Sequence, residues 1–253
     1  MLNALIFSFI SGVVGTGLGG IIGAIIGRKN SGNITNVLGF ACGIMISIVF
    51  FDLIPESSEL SNVYYSLLGL ISGMFTIFLL NLIADKISEK NNISSTLSIR
   101  IQSLKNNNML KAGWIMFFAI GIHNFPEGMA IGTSIEHNLT LGITLAIIMS
   151  LHDIPEGISI SLPLISGGMK KSKAILLTLL SGSTTILGAL LGSFLGSLNN
   201  YTTAFTLSFA GGAMLYVSFG EILPETILNN KENSSTIFCM LGIISGILIT
   251  SIF

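Results

Sequence analysis

Long apolar runs separated by short polar segments follow one another along the whole chain. Each run approaches or exceeds the roughly 20 residues that an α-helix needs to cross a bilayer. The pattern therefore predicts an all-α membrane protein with eight transmembrane helices. Their expected bounds are about 4–26, 34–54, 63–84, 112–135, 140–162, 174–197, 202–223 and 235–252.

The composition also indicates a membrane protein. Hydrophobic residues make up 51% of the 253 positions, charged residues only 9%, and the mean hydropathy is +0.83. A soluble chain carries about a quarter charged residues. The first run lacks a cationic segment and a cleavage site, so it predicts a permanent helix rather than a signal peptide. The two cysteines, Cys42 and Cys239, each lie inside a predicted helix and indicate no disulfide framework.

The basic residues predict the orientation of the chain. If the N-terminus lies outside, all eleven Lys and Arg residues fall on the cytoplasmic side, as the positive-inside rule requires. We therefore expect a multi-pass protein of the cell membrane with both termini outside. The longest polar segment, at about 86–110, is rich in Asn and Ser and predicts a flexible cytoplasmic loop.

An internal repeat relates the two ends of the chain. A shift of 169 residues places FACGIMISIVFFDLIPES, from Phe40, over FAGGAMLYVSFGEILPET, from Phe209, and a shift of 173 places LGLISG, from Leu68, over LGIISG, from Leu241. We expect one domain, 1–253, in which repeats at about 4–84 and 174–252 flank central helices at about 112–162. Because an odd number of helices separates the copies, this 3+2+3 arrangement is an inverted repeat, which is typical of secondary transporters.

Glycines at four-residue spacing mark one side of the first helix. They are Gly15, Gly19, Gly23 and Gly27, and the shift of 169 places the last three over glycines of the sixth helix. Small residues at this spacing let helices approach closely in a membrane. We interpret them as packing positions only.

Two similar polar motifs interrupt the central helices: HNFPEG, from His123, and HDIPEG, from His152. The first, second and fifth positions of each motif share a face of a helix, so we expect His and Glu to converge with Asn in one motif and Asp in the other. The prolines, Pro126 and Pro155, are expected to break each helix and free a backbone carbonyl. Such carbonyls are tolerated at membrane depth only where they face protein or a water-filled path.

The six polar residues of these motifs predict a metal-ion site. Imidazole suits zinc and other transition metals, and carboxylate and amide oxygens accept them as well. The set could hold one divalent ion, or two ions that share a carboxylate. Charged residues at the bilayer centre cost roughly 2.5–3.5 kcal/mol each on insertion scales, which favours function over packing. The predicted ligands are His123, Asn124, Glu127, His152, Asp153 and Glu156.

Other polar residues give weaker signals. Asp52 and Glu221 are partners in the repeat near opposite membrane faces, where they either attract metal as it enters and leaves or simply end a helix at the interface. Met45 and Met214 are interpreted as packing residues. Glu136 and His137 are expected to be solvated in an outer loop.

The paired motifs, together with FFDLIPE and FGEILPE, resemble the ZIP family of divalent metal transporters, and its bacterial branch most. The resemblance implies eight helices in a three-two-three arrangement, import of metal into the cytoplasm, and metal bound by the six motif residues between the fourth and fifth helices. It also implies a homodimer and an elevator-like movement of a four-helix bundle. We expect Zn²⁺ as cargo, with Fe²⁺, Mn²⁺, Co²⁺ and Cd²⁺ as alternatives, no resident cofactor and no nucleic-acid partner.

The chain departs from the family pattern in the sixth helix and in the long loop. Thr185, in SGSTTILG, stands where relatives usually carry a glutamate. The second metal position thereby loses a carboxylate, which puts a full binuclear site in doubt. The His-rich inner loop of many relatives has no counterpart, so metal sensing by the loop is not expected.

Three other functions were weighed against transport by a carrier. An intramembrane metalloprotease needs HExxH with a glutamate beside the first histidine, whereas Asn124 and Asp153 occupy that position, so we do not expect an enzyme. A membrane-embedded metal sensor would need a soluble output domain, and no segment of this sequence predicts one. A passive metal channel stays open as an alternative, because only saturation and counter-flow separate it from a carrier.

Overall fold

The computed structural model describes residues 1–26, 34–89, 109–224, 226 and 234–252; of residues 34, 83–89, 112, 221 and 252 it describes the backbone alone. These residues are helical almost throughout and contain no strand. They form eight helical segments, which confirms the prediction of an all-α membrane protein. The segments are α1 (Leu2–Ile26), α2 (Thr35–Leu60), α3 (Val63–Glu89), α4 (Met109–His137), α5 (Leu139–Ser166), α6 (Lys171–Gly196), α7 (Asn200–Gly220) and α8 (Ser234–Ile252).

Seven of these helices are long and apolar enough to cross a membrane by length and composition. The exception in the described chain is α4, which is long enough at 29 residues. The polar residues His123, Asn124 and Glu127 lower its mean hydropathy. The helix nevertheless forms where its apolar run predicted it, at about 112–135, and it carries half of the predicted metal ligands.

The predicted flexible loop falls mostly outside the described residues. α3 continues to Glu89, and α4 begins at Met109, so both ends of the segment predicted at about 86–110 are helical. Residues 90–108 lie in the part that the structure does not describe, and flexibility there stays a prediction.

A one-residue turn makes α4 and α5 antiparallel neighbours. The side chain of Asn138 accepts hydrogen bonds from the backbone nitrogens of Thr140 and Leu141, at 3.0 and 3.3 Å, and so caps the start of α5. At the other end, Gly168 adopts a φ of 96°, a left-handed conformation that glycine tolerates, in the turn towards α6. The two central motifs therefore lie side by side.

The prolines of the central motifs do not break their helices. α4 is continuous through Pro126 and α5 through Pro155, so the prediction of two half-broken helices was wrong. Neighbouring backbone holds both segments in place: a side chain at Gly128 would collide with the carbonyl of Thr185, and one at Gly157 with that of Thr16. Each proline removes one backbone hydrogen bond, which would allow the helix to break. The close packing against the neighbouring backbone keeps the helix continuous at this point.

The irregular turns occur instead in the flanking helices. π-helical turns lie at Phe9–Gly15 in α1, at Val49–Leu53 in α2 and at Ser218–Ile222, which continues α7 beyond Gly220. The last two precede Pro55 and Pro224, whose rings would clash with the carbonyl four residues earlier in a regular helix. A π-turn widens the helix at that point and moves this carbonyl away from the ring.

Each flanking helix packs on a particular partner. α1 packs on α5 and α6 on α4, while α2 packs on α8 and α3 on α7. The predicted close approach of α1 is confirmed at Gly15, Gly19 and Gly23, where an added Cβ would collide with Asp153, Ile154 and Ser161 of α5; Gly27 lies outside the described residues. The backbone of α1 is thus pressed against the HDIPEG segment.

Candidate metal centre

The polar residues of the two motifs come together at the middle of α4 and α5. All six side chains are buried, with at most 2% of any residue exposed. We call this set the α4–α5 cluster. Four of its members each bring one ligand atom within 4.8 Å of the others. The α4–α5 cluster consists of His123, Asn124, Glu127, His152, Asp153 and Glu156. The four members with ligand atoms this close, which we call the four-residue group, are Glu127, His152, Asp153 and Glu156.

The histidine of each helix faces the glutamate of the other. His152 Nε2 lies 3.1 Å from Glu127 Oε1, and His123 Nε2 lies 3.4 Å from Glu156 Oε1. His152 Nε2 is also 3.4 Å from Asp153 Oδ1. This crossed arrangement places the His152 imidazole between two carboxylates and the His123 imidazole beside one, so nitrogen and oxygen donors lie close together.

The amide of Asn124 fits the cluster in two orientations. In one, Nδ2 donates to the backbone carbonyl of Ser181 at 3.4 Å, which leaves the amide oxygen beside Glu156. Rotated by 180°, the amide donates instead to Glu156 Oε2 and to the carbonyl of Ile120, both at 3.2 Å. Two acceptor oxygens beside each other repel, so the first orientation is the one that a cation between Asn124 and Glu156 would stabilise.

The donor set suits a divalent transition-metal ion. Imidazole nitrogen and carboxylate or amide oxygen together are ligands that zinc accepts, and related metals share this preference. Glu127, Asp153 and Glu156 supply the negative charge, and their burial removes the water that would otherwise solvate it. A divalent ion at the centre would satisfy several of these atoms at once. Among them, Asp153 Oδ1 has no hydrogen-bond partner in the described part of the chain.

One residue at the site was not predicted from the sequence. Ser11 lies in the π-helical turn of α1, is fully buried, and its hydroxyl donates to Asp153 Oδ2 at 3.2 Å. A serine inside an apolar helix belongs to no metal-binding motif. A usable signal was nevertheless present, because the four-residue spacing of Gly15 and Gly19 extends back to Ser11.

Thr185 lies on α6 beside α1 and is not part of the four-residue group. It is buried, and its Oγ1 has no hydrogen-bond partner among the described residues. The hydroxyl is directed towards Gly12, where an added Cβ would collide with it. The position predicted to lack a carboxylate is therefore occupied by a small side chain packed against α1.

Asp52, an outlying candidate, is not part of the four-residue group. Asp52 is partly buried in the π-turn of α2, and the side chain of Glu221 lies outside the described residues, so a role for either in metal access stays a prediction. Met45 and Met214 are buried in the apolar core, in agreement with the packing interpretation.

Glu136 and His137 make contacts that the sequence did not predict. His137 Nε2 lies 3.3 Å from Glu56 Oε1 at the end of α2. Glu136 accepts hydrogen bonds from the Met1 amino group and from Ser193 of α6. Both residues are exposed, as predicted, but they end α4 rather than lie in a loop, and they also contact neighbouring helices.

Comparison with known proteins adds a family match to this geometry. The model of the family described as ZIP Zinc transporter matches residues 84–253, a range that includes both central motifs. Zinc transporter ZupT of Chlorobaculum parvum is 29% identical over 100% of this chain and 98% of its own length. The ZupT of Streptococcus mutans is 29% identical, with 100% and 96% covered, and that of Campylobacter jejuni is 30% identical, with 94% and 90% covered.

Proposed function

The chain belongs to the ZIP zinc transporter family, and from this premise we propose that it carries divalent metal ions, zinc first, into the cytoplasm through the α4–α5 cluster. Proteins of this family, the ZupT relatives included, are transporters and not enzymes. The chain is accordingly a multi-pass metal-ion transporter of the ZupT-like branch, and the metalloprotease interpretation is set aside. The path, the direction and the mechanism are the substance of the proposal.

The observation that carries the proposal is the buried group at the middle of α4 and α5. Glu127, Asp153 and Glu156 are each at most 1% exposed. Three carboxylates within one small volume of a membrane helix pair are costly to bury, by roughly 2.5–3.5 kcal/mol each where they are charged. An ion that binds there offsets this cost, whereas packing alone does not.

Zinc is the preferred cargo for two reasons. The cluster combines imidazole nitrogen with carboxylate oxygen, which favours zinc over harder cations, and the full-length relatives are named zinc transporters. Fe²⁺, Mn²⁺, Co²⁺ and Cd²⁺ have overlapping ligand preferences and are proposed as weaker cargoes.

Burial of the cluster favours alternating access over a continuous pore. His123 at 2% exposed is the most accessible of the six residues, so the described residues leave no open water-filled path to the ligands in this conformation. In a channel, by contrast, a conducting path exposes its ligands to water. We propose that α1, α4, α5 and α6, which pack on one another, move as a bundle against the remaining helices.

Recurrent contacts support the inverted repeat in its 3+2+3 form. A Cβ at Gly43 would collide with the carbonyl of Cys239, and a Cβ at Gly212 with that of Leu70. The shift of 169 relates Gly43 to Gly212 and Leu70 to Cys239. The same contact therefore occurs twice, once with the glycine in the first repeat and once with the glycine in the second. The two π-helical turns at Val49–Leu53 and Ser218–Ile222 obey the same shift.

The contacts also correct the alignment of α3 with α8. Gly73 lies against the carbonyl of Phe209 and Gly242 against that of Phe40, so Gly73 corresponds to Gly242 at a shift of 169. The shift of 173, which matches LGLISG with LGIISG, pairs Gly73 with Gly246 instead, 173 − 169 = 4 residues or about one helical turn away. The similar segments LGLISG and LGIISG therefore lie at heights that differ by about one turn along the two corresponding helices.

The positive-inside distribution of Lys and Arg supports an orientation with both termini outside and the 86–110 segment in the cytoplasm. Together with the family resemblance, this orientation makes inward movement of metal the proposed direction. A homodimer in the lipid bilayer is proposed on the resemblance alone.

Uptake of zinc into proteoliposomes tests the path. Glu127→Gln and Glu156→Gln each keep the side-chain volume and remove one carboxylate from the cluster, so we expect saturable uptake in the unchanged protein and its loss in both variants. Glu59→Gln is the matched control, because Glu59 is an exposed residue near the end of α2. Cd²⁺, Mn²⁺ and Fe²⁺ added as competitors rank the cargoes.

The same vesicles separate the carrier from the channel. Preloading with unlabelled zinc should accelerate entry of labelled zinc through a carrier, whereas flux that rises linearly with concentration indicates a pore. Full uptake in both glutamine variants, with each variant correctly inserted, would remove the cluster from the path.

A further inference from the structure

The two central motifs are equivalent in sequence but meet different neighbours. Asn124 and Asp153 occupy the same position in HNFPEG and HDIPEG. Beside Asn124, α6 presents the backbone carbonyl of Ser181, a hydrogen-bond acceptor. Beside Asp153, α1 presents the hydroxyl of Ser11, a donor. An amide can donate to a carbonyl and a carboxylate can only accept, so each flanking helix matches the residue that its motif carries.

The hydrogen bond from Ser11 divides the two oxygens of Asp153 between different tasks. Oδ2 accepts from Ser11 Oγ at 3.2 Å. Oδ1 is 3.4 Å from His152 Nε2, inside the four-residue group, and accepts no hydrogen bond from the described residues. A donor on one oxygen fixes the plane of the carboxylate, which turns the other oxygen towards the ion.

The backbone of α1 gives this hydrogen bond a rigid support. Ser11 lies in the π-helical turn Phe9–Gly15, and the residues around it are held by contact. A Cβ at Gly15 would lie 2.8 Å from the Asp153 Cβ, and a Cβ at Gly12 would lie 2.5 Å from the carbonyl of Gly182. Because α1 is held against both α5 and α6 at this level, Ser11 cannot drift away from Asp153.

We propose that Ser11 is a positioning residue for metal binding: its hydroxyl orients Asp153 so that Oδ1 faces the ion. The inference rests on the proposed function, since it assumes that Asp153 is a ligand. Residues that orient metal ligands typically change metal affinity by roughly 10–100-fold when they are removed. The geometry therefore predicts weaker binding without loss of the transport cycle.

Ser11→Ala removes the donor without adding volume, and Ser8→Ala is its matched control. Ser8 is a fully buried serine of the same helix, whose hydroxyl donates to the carbonyl of Leu5 at 3.1 Å. In zinc uptake, Ser11→Ala should raise the KM by roughly tenfold or more. The rate at saturating zinc should stay within about twofold of the unchanged protein, because a loss that affects only the binding of the ion raises the KM and does not change the turnover rate. Ser8→Ala should change neither quantity.

Zinc titration of the purified protein gives a second readout that does not require transport. The dissociation constant should rise by the same factor as the KM in Ser11→Ala and not in Ser8→Ala. Ser11→Thr restores a hydroxyl at the same atom and should recover most of the affinity. Ser11→Gly should behave like the alanine variant, because it also lacks the donor.

The outcomes separate this inference from the proposed function. If Glu127→Gln abolishes uptake while Ser11→Ala matches Ser8→Ala in both KM and zinc affinity, the positioning role of Ser11 is wrong and the transport path stands. A fall in maximal rate at unchanged KM, or a threonine variant with wild-type stability and no recovery of affinity, would also overturn it. Uptake that survives Glu127→Gln overturns the proposed function instead.

Discussion

Gly128, next to the proposed ligand Glu127, should tolerate no side chain. It lies where α4 touches α6, and a Cβ built on it would be 2.0 Å from the carbonyl oxygen of Thr185, 2.7 Å from its carbonyl carbon and 2.9 Å from the nitrogen of Ala189. All three atoms belong to backbone, so no side-chain rotation can relieve the collision. Gly128→Ala must therefore separate the two helices.

The required displacement follows from these distances. Real Cβ atoms essentially never approach another heavy atom closer than 3.0 Å, so the contact must open by at least 3.0 − 2.0 = 1.0 Å. Overpacking of this kind destabilises a protein by about 1–3 kcal/mol, and we expect the upper part of that range because both sides are backbone. Functional sites tolerate displacements of about 0.5 Å, so Glu127 moves beyond the limit for metal binding.

Gly121→Ala provides the comparison within the same helix. A Cβ there would lie 3.5 Å from Ser181 Oγ and 4.0 Å from Thr184 Cγ2, which is ordinary van der Waals contact. Both variants replace a glycine of α4 with alanine, so both gain the same helix propensity. A difference between them in stability therefore comes from packing. Thermal unfolding in detergent and zinc uptake in proteoliposomes should show a clear loss in Gly128→Ala and little change in Gly121→Ala.

Equal stability and equal uptake in these two variants would refute the packing argument. That result would mean that α4 and α6 are farther apart at Gly128 than the structure has them. A loss of uptake in Gly128→Ala at unchanged stability would still support displacement of the ligand, since about 1 Å of misplacement can cost on the order of a hundredfold in function.

Two further predictions concern the ion itself. Zinc at about 100 times its dissociation constant should raise the free energy of unfolding by about 2.7 kcal/mol, measured by thermal unfolding with and without a chelator; a shift of the same size in Glu127→Gln would place the bound ion elsewhere. Thr185→Glu should add a carboxylate beside the cluster and so tighten or add zinc binding in equilibrium dialysis; unchanged affinity and stoichiometry would contradict the interpretation of Thr185.

Much of the fold follows from the sequence because bilayer thickness sets helix length. The eight apolar runs predict eight helices with bounds close to those observed, and Gly15, Gly19 and Gly23 predict the face of α1 that packs on α5. The effect of the central prolines was mispredicted. Pro126 and Pro155 are strong local signals for a break, but whether a helix breaks depends on the backbone packed against it, which no local rule contains.

The candidate site shows the same division between local pattern and tertiary contact. The motif spacing brings His123 and Glu127 to one face, and the structure places this face against its counterpart on α5. The four-residue spacing places Ser11 on the same side of α1 as Gly15 and Gly19, but it does not identify the partner, because Asp153 is 142 positions away in the chain. The contact between His137 and Glu56 escaped prediction for the same reason.

The asymmetry between the twin motifs bears on how many ions the cluster holds. Three members of the four-residue group come from HDIPEG and one, Glu127, from HNFPEG. A first ion among these donors meets three carboxylates, which exceed its charge by one. A second ion would have His123, Asn124 and a share of Glu156, with Thr185 supplying no charge from α6. Two divalent ions would then carry four positive charges against three negative ones in a buried site, where screening is weak. We therefore expect one tightly bound ion, held on the α5 side of the cluster where Ser11 fixes Asp153.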